Sequence, residues 1–452
     1  MIPKGRNGSM KKRGILATLL VVVMMATMLV GCGSKADAAG KVYYLNFKPE
    51  VAEVWTKIAE EYTQATGVEV KIQTAAAGTY ESTLKSEVAK KNPPTLFQIN
   101  GPVGYQSWKD YCLDLKDTEL FKNLSDPTLA VEDGEGVFGI PYVVEGYGII
   151  YNDKIMRDYF ALADKAVDVQ STEEINTFEK LKAVAEDMTN HKADLGIEGV
   201  FSATSFSPGE DWRWQTHLAN LPIFYEYKAD GVDDKDAIDF TYSDGFKGIF
   251  DLYLNNSSIE SGLVGSKTVD DSMAEFALGK TAMVQNGNWG WGQISGVEGN
   301  VVAAEDVKFL PIYIGAQGEE QQGLCIGTEN YFALNAKVSE ADQKATIDFV
   351  NWLFTSPEGK KHIVEDLGFI APFNTFSEDE MPQDPLAKEI IRFMNDGNKN
   401  NVAWAFLTFP SQTFKDKFGS YLLEYAQGTR EWDAVVTDMK ADWASEKAAA
   451  QE

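Results

Sequence analysis

The sequence predicts an α/β protein of two lobes, each a mostly parallel β-sheet flanked by helices. Three observations predict it. Strand-like and helix-like segments alternate from residue 41 onward, which is typical of sheets whose crossovers are helical. The chain of 452 residues is longer than one hydrophobic core usually spans. No Pro- or Ser-rich linker divides the body, so we expect the chain to cross between the lobes several times.

The first elements follow this alternation. KVYYLNF at 41–47 predicts a strand, and VEVKI at 68–72 and TLFQI at 95–99 predict two more. Between the first two lies an amphipathic helix, whose apolar face combines Val51, Val54, Trp55, Ile58 and Tyr62. Pro49 near its start and Gly67 just past its end suit the limits of a helix.

The later elements repeat the pattern. FGIPYVVEGYGIIYN at 138–152 is rich in strand-forming residues, and 271–285 predicts a helix followed by a strand. Helical periodicity marks 177–189, which Thr177 would cap, the pair of helices in 340–368, and the tail at 414–452.

The first 31 residues predict an export signal. A basic start is followed by the apolar stretch GILATLLVVVMMATMLVG and then by LVGC at 29–32. LVGC resembles the lipobox of bacterial lipoproteins, in which Cys32 would carry the lipid and 32–40 would be a tether. An uncleaved N-terminal anchor is the alternative. Either way we expect a protein attached to the cell membrane and facing the extracellular side, or the periplasm if the organism has an outer membrane.

The charge of the chain excludes some partners. Loss of the signal removes five basic residues and lowers the formal net charge from −27 to −32. Nucleic acids and anionic membrane surfaces are polyanions, so neither is expected as a main partner. We attribute the negative charge to solubility outside a cell.

The remaining cysteines do not predict a disulfide scaffold. Cys112 and Cys325 are far apart in a large exported chain. Two buried free thiols or a single bridge are both compatible with this spacing.

Catalytic and metal motifs are absent from the sequence. His191, His217 and His362 are scattered without zinc-ligand spacing, and no G-x-S-x-G occurs. LGKT at 278–281 ends like a phosphate-binding loop but has Ala274 at the position that needs glycine. We therefore expect no metal and no cofactor. A glycoside hydrolase stays open, because its two carboxylates can come from anywhere among 68 acidic residues.

Tryptophans occur in three polar segments that Gly or Pro interrupts. These are NGNWGWGQI at 286–294, SFSPGEDWRWQTHLAN at 205–220 and NNVAWAFLTFP at 400–410. Sugar rings have weakly apolar faces that lie on aromatic rings, and hydroxyl edges that need amide or carboxylate partners. This mixture of residues therefore predicts a sugar site. By contrast, Trp352, Trp432 and Trp443 lie in amphipathic helices and are expected in the core.

These segments resemble the extracellular solute-binding proteins of carbohydrate ABC importers, the group that includes maltose-binding protein. The resemblance rests on GIPYVVEGYGIIYN, AMVQNGNWGWGQI, GVEVKI, PPTLFQI and FVNWLFTSPEGKKHIVEDLGFIAPF. It implies a periplasmic-binding-protein-like fold of type II, with a hinge of several crossings and a sugar in the cleft between the lobes. We assign 41–152 and 280–330 to lobe 1, and 153–279 and 331–452 to lobe 2.

The resemblance also implies a set of ligand-binding residues. Glu145 matches a cleft carboxylate that accepts from sugar hydroxyls, and Trp289, beside Asn288, matches a stacking aromatic. Glu210 and Trp212 match a Glu and an aromatic of the second lobe. The set is completed by Asn46, Phe47, Lys48 and Asn100, which follow strands, and by Trp404. Whether Trp214 and Trp291 face ligand or core stays open.

Two departures from the family pattern limit the expected specificity. Gln98 stands where maltose-binding protein has a stacking Trp, and Lys48 where it has an acid, so maltose specificity is not expected. The sequence as a whole predicts a lipid-anchored, monomeric, non-enzymatic receptor that delivers an oligosaccharide to a membrane permease. A surface glycosidase and a passive adhesin are the alternatives.

Overall fold

The computed structural model describes residues 40–75 and 77–450. The predicted signal, Cys32 and nearly all of the tether lie outside these residues. The strands are β1 Val42–Asn46, β2 Val70–Thr74, β3 Leu96–Ile99, β4 Val131–Asp133, β5 Gly136–Pro141, β6 Glu145–Asn152, β7 Gly199–Phe201, β8 Thr281–Gly287, β9 Val307–Leu310, β10 Gln322–Gly327, β11 Tyr331–Leu334 and β12 Asn400–Val402.

The α-helices surround these strands. They are α1 Ala52–Thr66, α2 Ala77–Val88, α3 Gly101–Trp108, α4 Glu119–Lys122, α5 Asp153–Phe160, α6 Phe178–Asn190, α7 Lys192–Leu195, α8 Asn220–Asp230, α9 Ser243–Asn255, α10 Val269–Ala277, α11 Trp291–Ser295, α12 Glu340–Thr355, α13 Pro357–Lys361, α14 Pro385–Asn395, α15 Gln412–Ala426 and α16 Trp432–Ala450. Residues Arg213–Leu218 and His362–Asp366 are π-helical. No helix in the described ranges has the length and apolar character that crossing a membrane requires.

The strands form two six-stranded sheets in the described part of the chain. The first has the order β2-β1-β3-β11-β5-β4 and covers a core in which Tyr44, Trp55 and Phe332 pack edge to face. The second has the order β12-β10-β6-β8-β7, with β9 also paired to β6. All eight residues of β6 are buried, because neighbouring strands and helices cover them. The predicted two-lobed α/β architecture is therefore present.

The chain passes between the two sheets three times within the described residues. Residues 142–144 link β5 to β6, residues 328–330 link β10 to β11, and the third passage precedes α14. The passages are hydrogen-bonded to one another: the backbone N–H of Tyr142 donates to the carbonyl of Asn330, and that of Val144 donates to the carbonyl of Ile370. The hinge is thus a small backbone assembly rather than a set of separate linkers.

Strand pairing differs from the sequence prediction in two respects. Both sheets are mixed rather than mostly parallel, because strands that enter a sheet from a crossing, such as β6 and β11, run antiparallel to their neighbours. The predicted lobe boundaries also differ. β6 and β8, assigned to lobe 1, belong to the second sheet, whereas β11, assigned to lobe 2, lies in the middle of the first sheet.

Local signals match the observed element ends. Gly67 ends α1 in the left-handed conformation at φ 77°, and the Thr177 hydroxyl accepts from the backbone N–H of Lys180 at the start of α6. The segment 286–294 is not a flexible loop. It comprises the end of β8, a short 3₁₀ turn and α11. In this segment Gly287 allows the Trp289 ring to approach the backbone closely, as described below.

The buried side chains settle two further predictions. Cys112 and Cys325 are both free and buried, so the free-thiol alternative is confirmed, and burial raises the pKa of each thiol to about 12. Trp432 and Trp443 are buried as predicted. Trp352 is only partly buried, and its ring stacks on Phe349 with the centroids 6.3 Å apart.

Candidate functional site

Lys48 and Glu145 form a buried ion pair where the two lobes meet. Lys48 follows β1 of the first sheet, and Glu145 is the first residue of β6 in the second. Lys48 Nζ lies 2.7 Å from Glu145 Oε1, with 6% and 3% of the two side chains exposed. Burial alone would lower the pKa of Lys48, but the charges of Glu145 and Glu50 raise it above its ordinary value. Two residues predicted to bind ligand are therefore also each other's partners.

A chain of hydrogen bonds extends from this pair through the hinge. Asn330 Nδ2 donates to Glu145 Oε2 at 2.7 Å. The Tyr142 hydroxyl donates to Gln98 Oε1 at 2.6 Å, and Gln98 Nε2 donates to Asn100 Oδ1 at 3.0 Å. Gln98 is thus a buried residue of β3 that links Tyr142 of the hinge to Asn100. Asn100, predicted to bind ligand, is half-buried at the end of this chain.

The loop after β1 is held by the Asn46 side chain. Asn46 Oδ1 accepts from the Lys48 backbone N–H at 3.1 Å, and Asn46 Nδ2 donates to the Lys48 carbonyl at 2.7 Å. Asn46 is fully buried, so it fixes the loop that positions Lys48. Phe47, between them, is partly buried and packs edge to face on Tyr80 at 5.3 Å.

Trp289 occupies a position that a glycine makes available. A Cβ on Gly287 would lie 2.2 Å from the Trp289 ring, so the indole folds back over the end of β8 only because residue 287 has no side chain. The Asn288 Oδ1 accepts from the backbone N–H of Gly146 at 2.9 Å and ties this turn to β6. The ring remains partly exposed, and Lys48 Nζ lies 5.9 Å from its centroid.

Further aromatic side chains surround Trp289. Its ring centroid lies 6.0 Å from that of the partly exposed Trp212 and 5.4 Å from that of His217. His217 stacks on Tyr147 at 4.3 Å, and burial holds the pKa of His217 well below its usual value, so the ring is neutral. Trp404 packs behind this group, 5.9 Å from Tyr147 and 6% exposed. We call Trp212, His217, Trp289 and Trp404 the aromatic patch.

The remaining predicted positions do not join the aromatic patch. The Glu210 carboxylate accepts from the backbone N–H of Val269 at 3.1 Å, at the start of α10. Trp214 is buried and donates its indole N–H to the Ser205 carbonyl, so it belongs to the core. Trp291 is partly buried against the core around Met273 and Ile294.

Two charged residues near the hinge were not found by sequence reasoning. Glu329 lies in the second crossing and Lys415 on α15, both partly exposed. Burial raises the pKa of the Glu329 carboxyl against the opposing charge of Lys415, and burial lowers the pKa of Lys415 against the opposing charge of Glu329. Neither side chain has a hydrogen-bond or ion-pair partner among the described residues. No spacing in the sequence marks either residue, because only the fold brings a crossing and a distant helix together.

The two lobes touch at the rim of this region. Gly101, which begins α3 of the first lobe at φ 63°, approaches Leu407 of the second lobe, and a Cβ placed on Gly101 would lie 3.5 Å from Leu407 Cδ2. Lys48 of the first lobe thus contacts Glu145 and the Trp289 ring of the second lobe, and the lobes also touch at Gly101 and Leu407. Across residues 40–75 and 77–450, no three His, Cys, Asp or Glu side chains group closely enough to hold a metal ion.

Comparison with known proteins identifies the family. The profile of the bacterial extracellular solute-binding proteins matches residues 57–389, and the chain belongs to this family. This is a family of substrate-binding receptors rather than of enzymes. A maltotriose-binding protein of Pyrococcus abyssi (strain GE5 / Orsay) is 25% identical over 375 residues, covering 78% of this chain and 70% of the relative.

Solved structures share the fold at low sequence identity. A chitin oligosaccharide binding protein superposes with a TM-score of 0.70 at 16% identity, over 91% of this chain and 99% of that one. The solute-binding protein RafE in complex with raffinose gives a TM-score of 0.67 at 15% identity, over 90% and 99%. Maltose-bound MalE3 of T. maritima gives 0.66 at 13%, over 90% and 99%. The two-lobed solute-binding fold is confirmed.

Proposed function

We propose that this protein is the receptor of an ABC importer and captures an oligosaccharide between its two lobes. The observation that carries the proposal is the aromatic patch beside the Lys48–Glu145 pair at the meeting of the lobes. The names of its relatives support it, since they include proteins that bind maltotriose, raffinose and maltose.

The chemistry of the region suits a sugar. The partly exposed rings of Trp289 and Trp212 offer apolar faces for the C–H side of a pyranose. Asn100, Glu145 and Glu329 supply oxygens that accept from hydroxyls, and Lys48 and Lys415 supply donors. The side chains of Glu329 and Lys415 have no hydrogen-bond partner among the described residues, so a ligand that satisfies these two groups gains affinity and specificity together. Asn46, Phe47, Asn288, Glu210 and Trp404 are proposed as supporting members of the same site.

A panel of purified oligosaccharides tests the proposal. A receptor shows a higher Tm with the right sugar, because the ligand binds only the folded state, and the sugar is recovered intact. Chromatography of the mixture after prolonged incubation checks this. Release of shorter sugars would establish the glycosidase alternative, and no Tm shift with any member of a broad panel would contradict the receptor.

We further propose that the protein is a lipoprotein, anchored outside the cell membrane through Cys32. The supporting observation is LVGC at 29–32 behind an apolar stretch. Two acyl chains hold a protein on a bilayer stably, whereas a single chain does so only weakly. The partner would be the membrane subunits of the importer, approached by a monomer.

The Cys32→Ala variant tests the anchor. We expect this variant to appear as a soluble protein or an unprocessed precursor, and detergent partitioning with mass spectrometry of the N-terminus measures it. Cys112→Ala is the matched control, since Cys112 is buried and its loss leaves lipidation unchanged. Membrane retention with an unaltered N-terminus in Cys32→Ala would contradict the lipoprotein assignment.

A further inference from the structure

The guanidinium of Arg213 is buried in the second lobe without a carboxylate partner. Arg213 is 1% exposed and begins the π-helical segment Arg213–Leu218. Its Nη2 donates to the Ser205 hydroxyl, but no described group accepts from Nε or Nη1. A buried charge without compensation is strongly destabilising, so its environment requires an explanation.

Arg213 lines a small cavity between its own segment, β8 and α9. The wall also includes Tyr253, Gln285, Ser202 and Ser272. The Tyr253 hydroxyl and Gln285 Oε1 are buried and have no partner among the described residues either. The cavity is small and has room for about one occupant of the size of a water molecule or a little larger.

The balance of charges and donors around the cavity favours a negative occupant. Glu210 and Asp270 are the acidic groups whose charges reach Arg213, and both carboxylates are engaged elsewhere. Glu210 accepts from Val269 N, and Asp270 accepts from Gln293 Nε2 at 2.8 Å.

The unpartnered donors outnumber the unpartnered acceptors. Arg213 Nε, Arg213 Nη1 and the Tyr253 hydroxyl can donate, whereas Gln285 Oε1 can only accept. Burial lowers the pKa of Arg213 to about 9, so the guanidinium still carries its charge at neutral pH. An occupant that accepts hydrogen bonds and carries one negative charge satisfies the unpartnered donors and neutralises the guanidinium.

We propose that this cavity binds one small monovalent anion of the size of chloride, held by Arg213 and Tyr253. The anion neutralises the buried guanidinium and stabilises the folded second lobe. The Arg213 guanidinium carbon lies 5.1 Å from the centroid of the Trp212 ring. By fixing Arg213, the anion therefore also supports Trp212 of the aromatic patch.

Crystals of the unaltered protein soaked in sodium bromide give the direct test, because bromide replaces chloride and scatters anomalously. We expect an anomalous difference peak within hydrogen-bonding distance of Arg213 Nε or Nη1. An ordered water at that position with no anomalous signal would overturn the proposal.

A solution measurement tests the stabilising effect with no sugar present. At fixed ionic strength, we expect Tm to be about 2–4 °C higher in sodium chloride than in sodium gluconate. Arg213→Met should lose this difference. The control Arg392→Gln should keep it, because Arg392 is exposed and paired with Glu389. Equal Tm values in the two salts for the unaltered protein would contradict the proposal, and if Arg213→Met does not fold, the bromide result decides.

Discussion

At the scale of single residues, Trp289 is the side chain on which sugar binding should depend most. It is partly exposed at the centre of the aromatic patch, and truncation of a central aromatic costs roughly 2 kcal/mol or more. We therefore expect Trp289→Ala to weaken binding at least ~30-fold, measured by isothermal titration calorimetry. Its Tm without sugar should change little.

Trp443→Ala is the control for this prediction. Trp443 is fully buried and donates its indole N–H to the Lys235 carbonyl. Its truncation should cost about 3–5 kcal/mol of stability and leave the affinity of the folded fraction unchanged. The reverse pattern, with Trp289→Ala unfolding the protein and retaining affinity, would return Trp289 to the core.

We expect a measurable coupling energy between Lys48 and Glu145 in the free energy of unfolding. Lys48→Met leaves the Glu145 carboxylate buried beside Asn330 alone, and breaking a buried pair in this way costs about 3–5 kcal/mol. Glu145→Gln together with Lys48→Met should cost less than Lys48→Met alone, because neither charge is then left unpaired. Urea unfolding of the two single variants and the double variant measures the coupling.

An exposed pair of similar geometry provides the comparison. Lys344 Nζ lies 2.6 Å from Asp348 Oδ2, with 75% and 50% of the two side chains exposed. Lys344→Met should change stability by about 1 kcal/mol at most. An equal loss of stability in Lys48→Met and Lys344→Met would show that the pair between the lobes is solvated rather than buried.

Some of the candidate residues could be predicted from the sequence, because the residues around them already have a suitable chemistry. Trp289 and Trp212 lie in segments whose composition already suits a sugar, so local chemistry marks them. Glu145 follows only from the resemblance to the solute-binding family. Glu329 and Lys415 carry no such mark, because their proximity depends on tertiary folding. His217 has no zinc-ligand spacing in the sequence and carries no other mark, yet its ring stacks on Tyr147 beside Trp289.

At the scale of elements, α15 contains a glycine whose role opposes helix propensity. Alanine is favoured over glycine by about 1 kcal/mol inside a helix. A Cβ on Gly419, however, would lie 1.7 Å from Asp211 Oδ2 and 3.4 Å from Gln215 Cγ. We expect Gly419→Ala to lower the free energy of unfolding by about 1–3 kcal/mol, measured in urea.

A second helical glycine separates propensity from packing. A Cβ on Gly292, in α11, would meet no atom within 4 Å. Gly292→Ala should therefore leave stability unchanged or raise it by up to about 1 kcal/mol. If Gly419→Ala is as stable as Gly292→Ala, then α15 does not pack on Asp211 as closely as the structure indicates.

Most elements could be predicted because their signals are local. Helix caps at Thr177 and Gly67, and the apolar face of α1, act within a few residues. The segment 286–294 is harder to predict, because its three glycines do not show that it comprises a strand end, a 3₁₀ turn and a short helix. In the structure Gly287 lies within a buried strand and admits the Trp289 ring.

At the scale of the whole molecule, two lobes joined by three crossings should close further on a sugar. Binding proteins with such hinges shift between open and closed arrangements, and a ligand that contacts both lobes favours the closed one. Small-angle X-ray scattering should show a smaller radius of gyration at saturating sugar. Trp289→Ala at the same sugar concentration should give the ligand-free value, and an identical radius with and without sugar in the parent would contradict closure.

The lobe boundaries were the least predictable feature. Hydrophobic periodicity identifies strands, but the partner of a strand depends on contacts far along the chain. β8 pairs with β6, and β11 with β3, across sequence separations that no local pattern encodes.

The central position of β11 also bears on how the protein is made. A growing chain that has reached residue 144 contains β1–β5, yet β3 and β5 do not pair with each other, because each pairs with β11. The sheet of the first lobe therefore cannot form completely until Tyr331–Leu334 has been synthesised, almost two hundred residues later along the sequence. Pairing between such distant segments slows folding. The first lobe is thus completed only after five of the six strands of the second sheet have been made. During translation its unpaired strand edges are available to chaperones, and a fragment of residues 40–144 made alone should aggregate rather than fold.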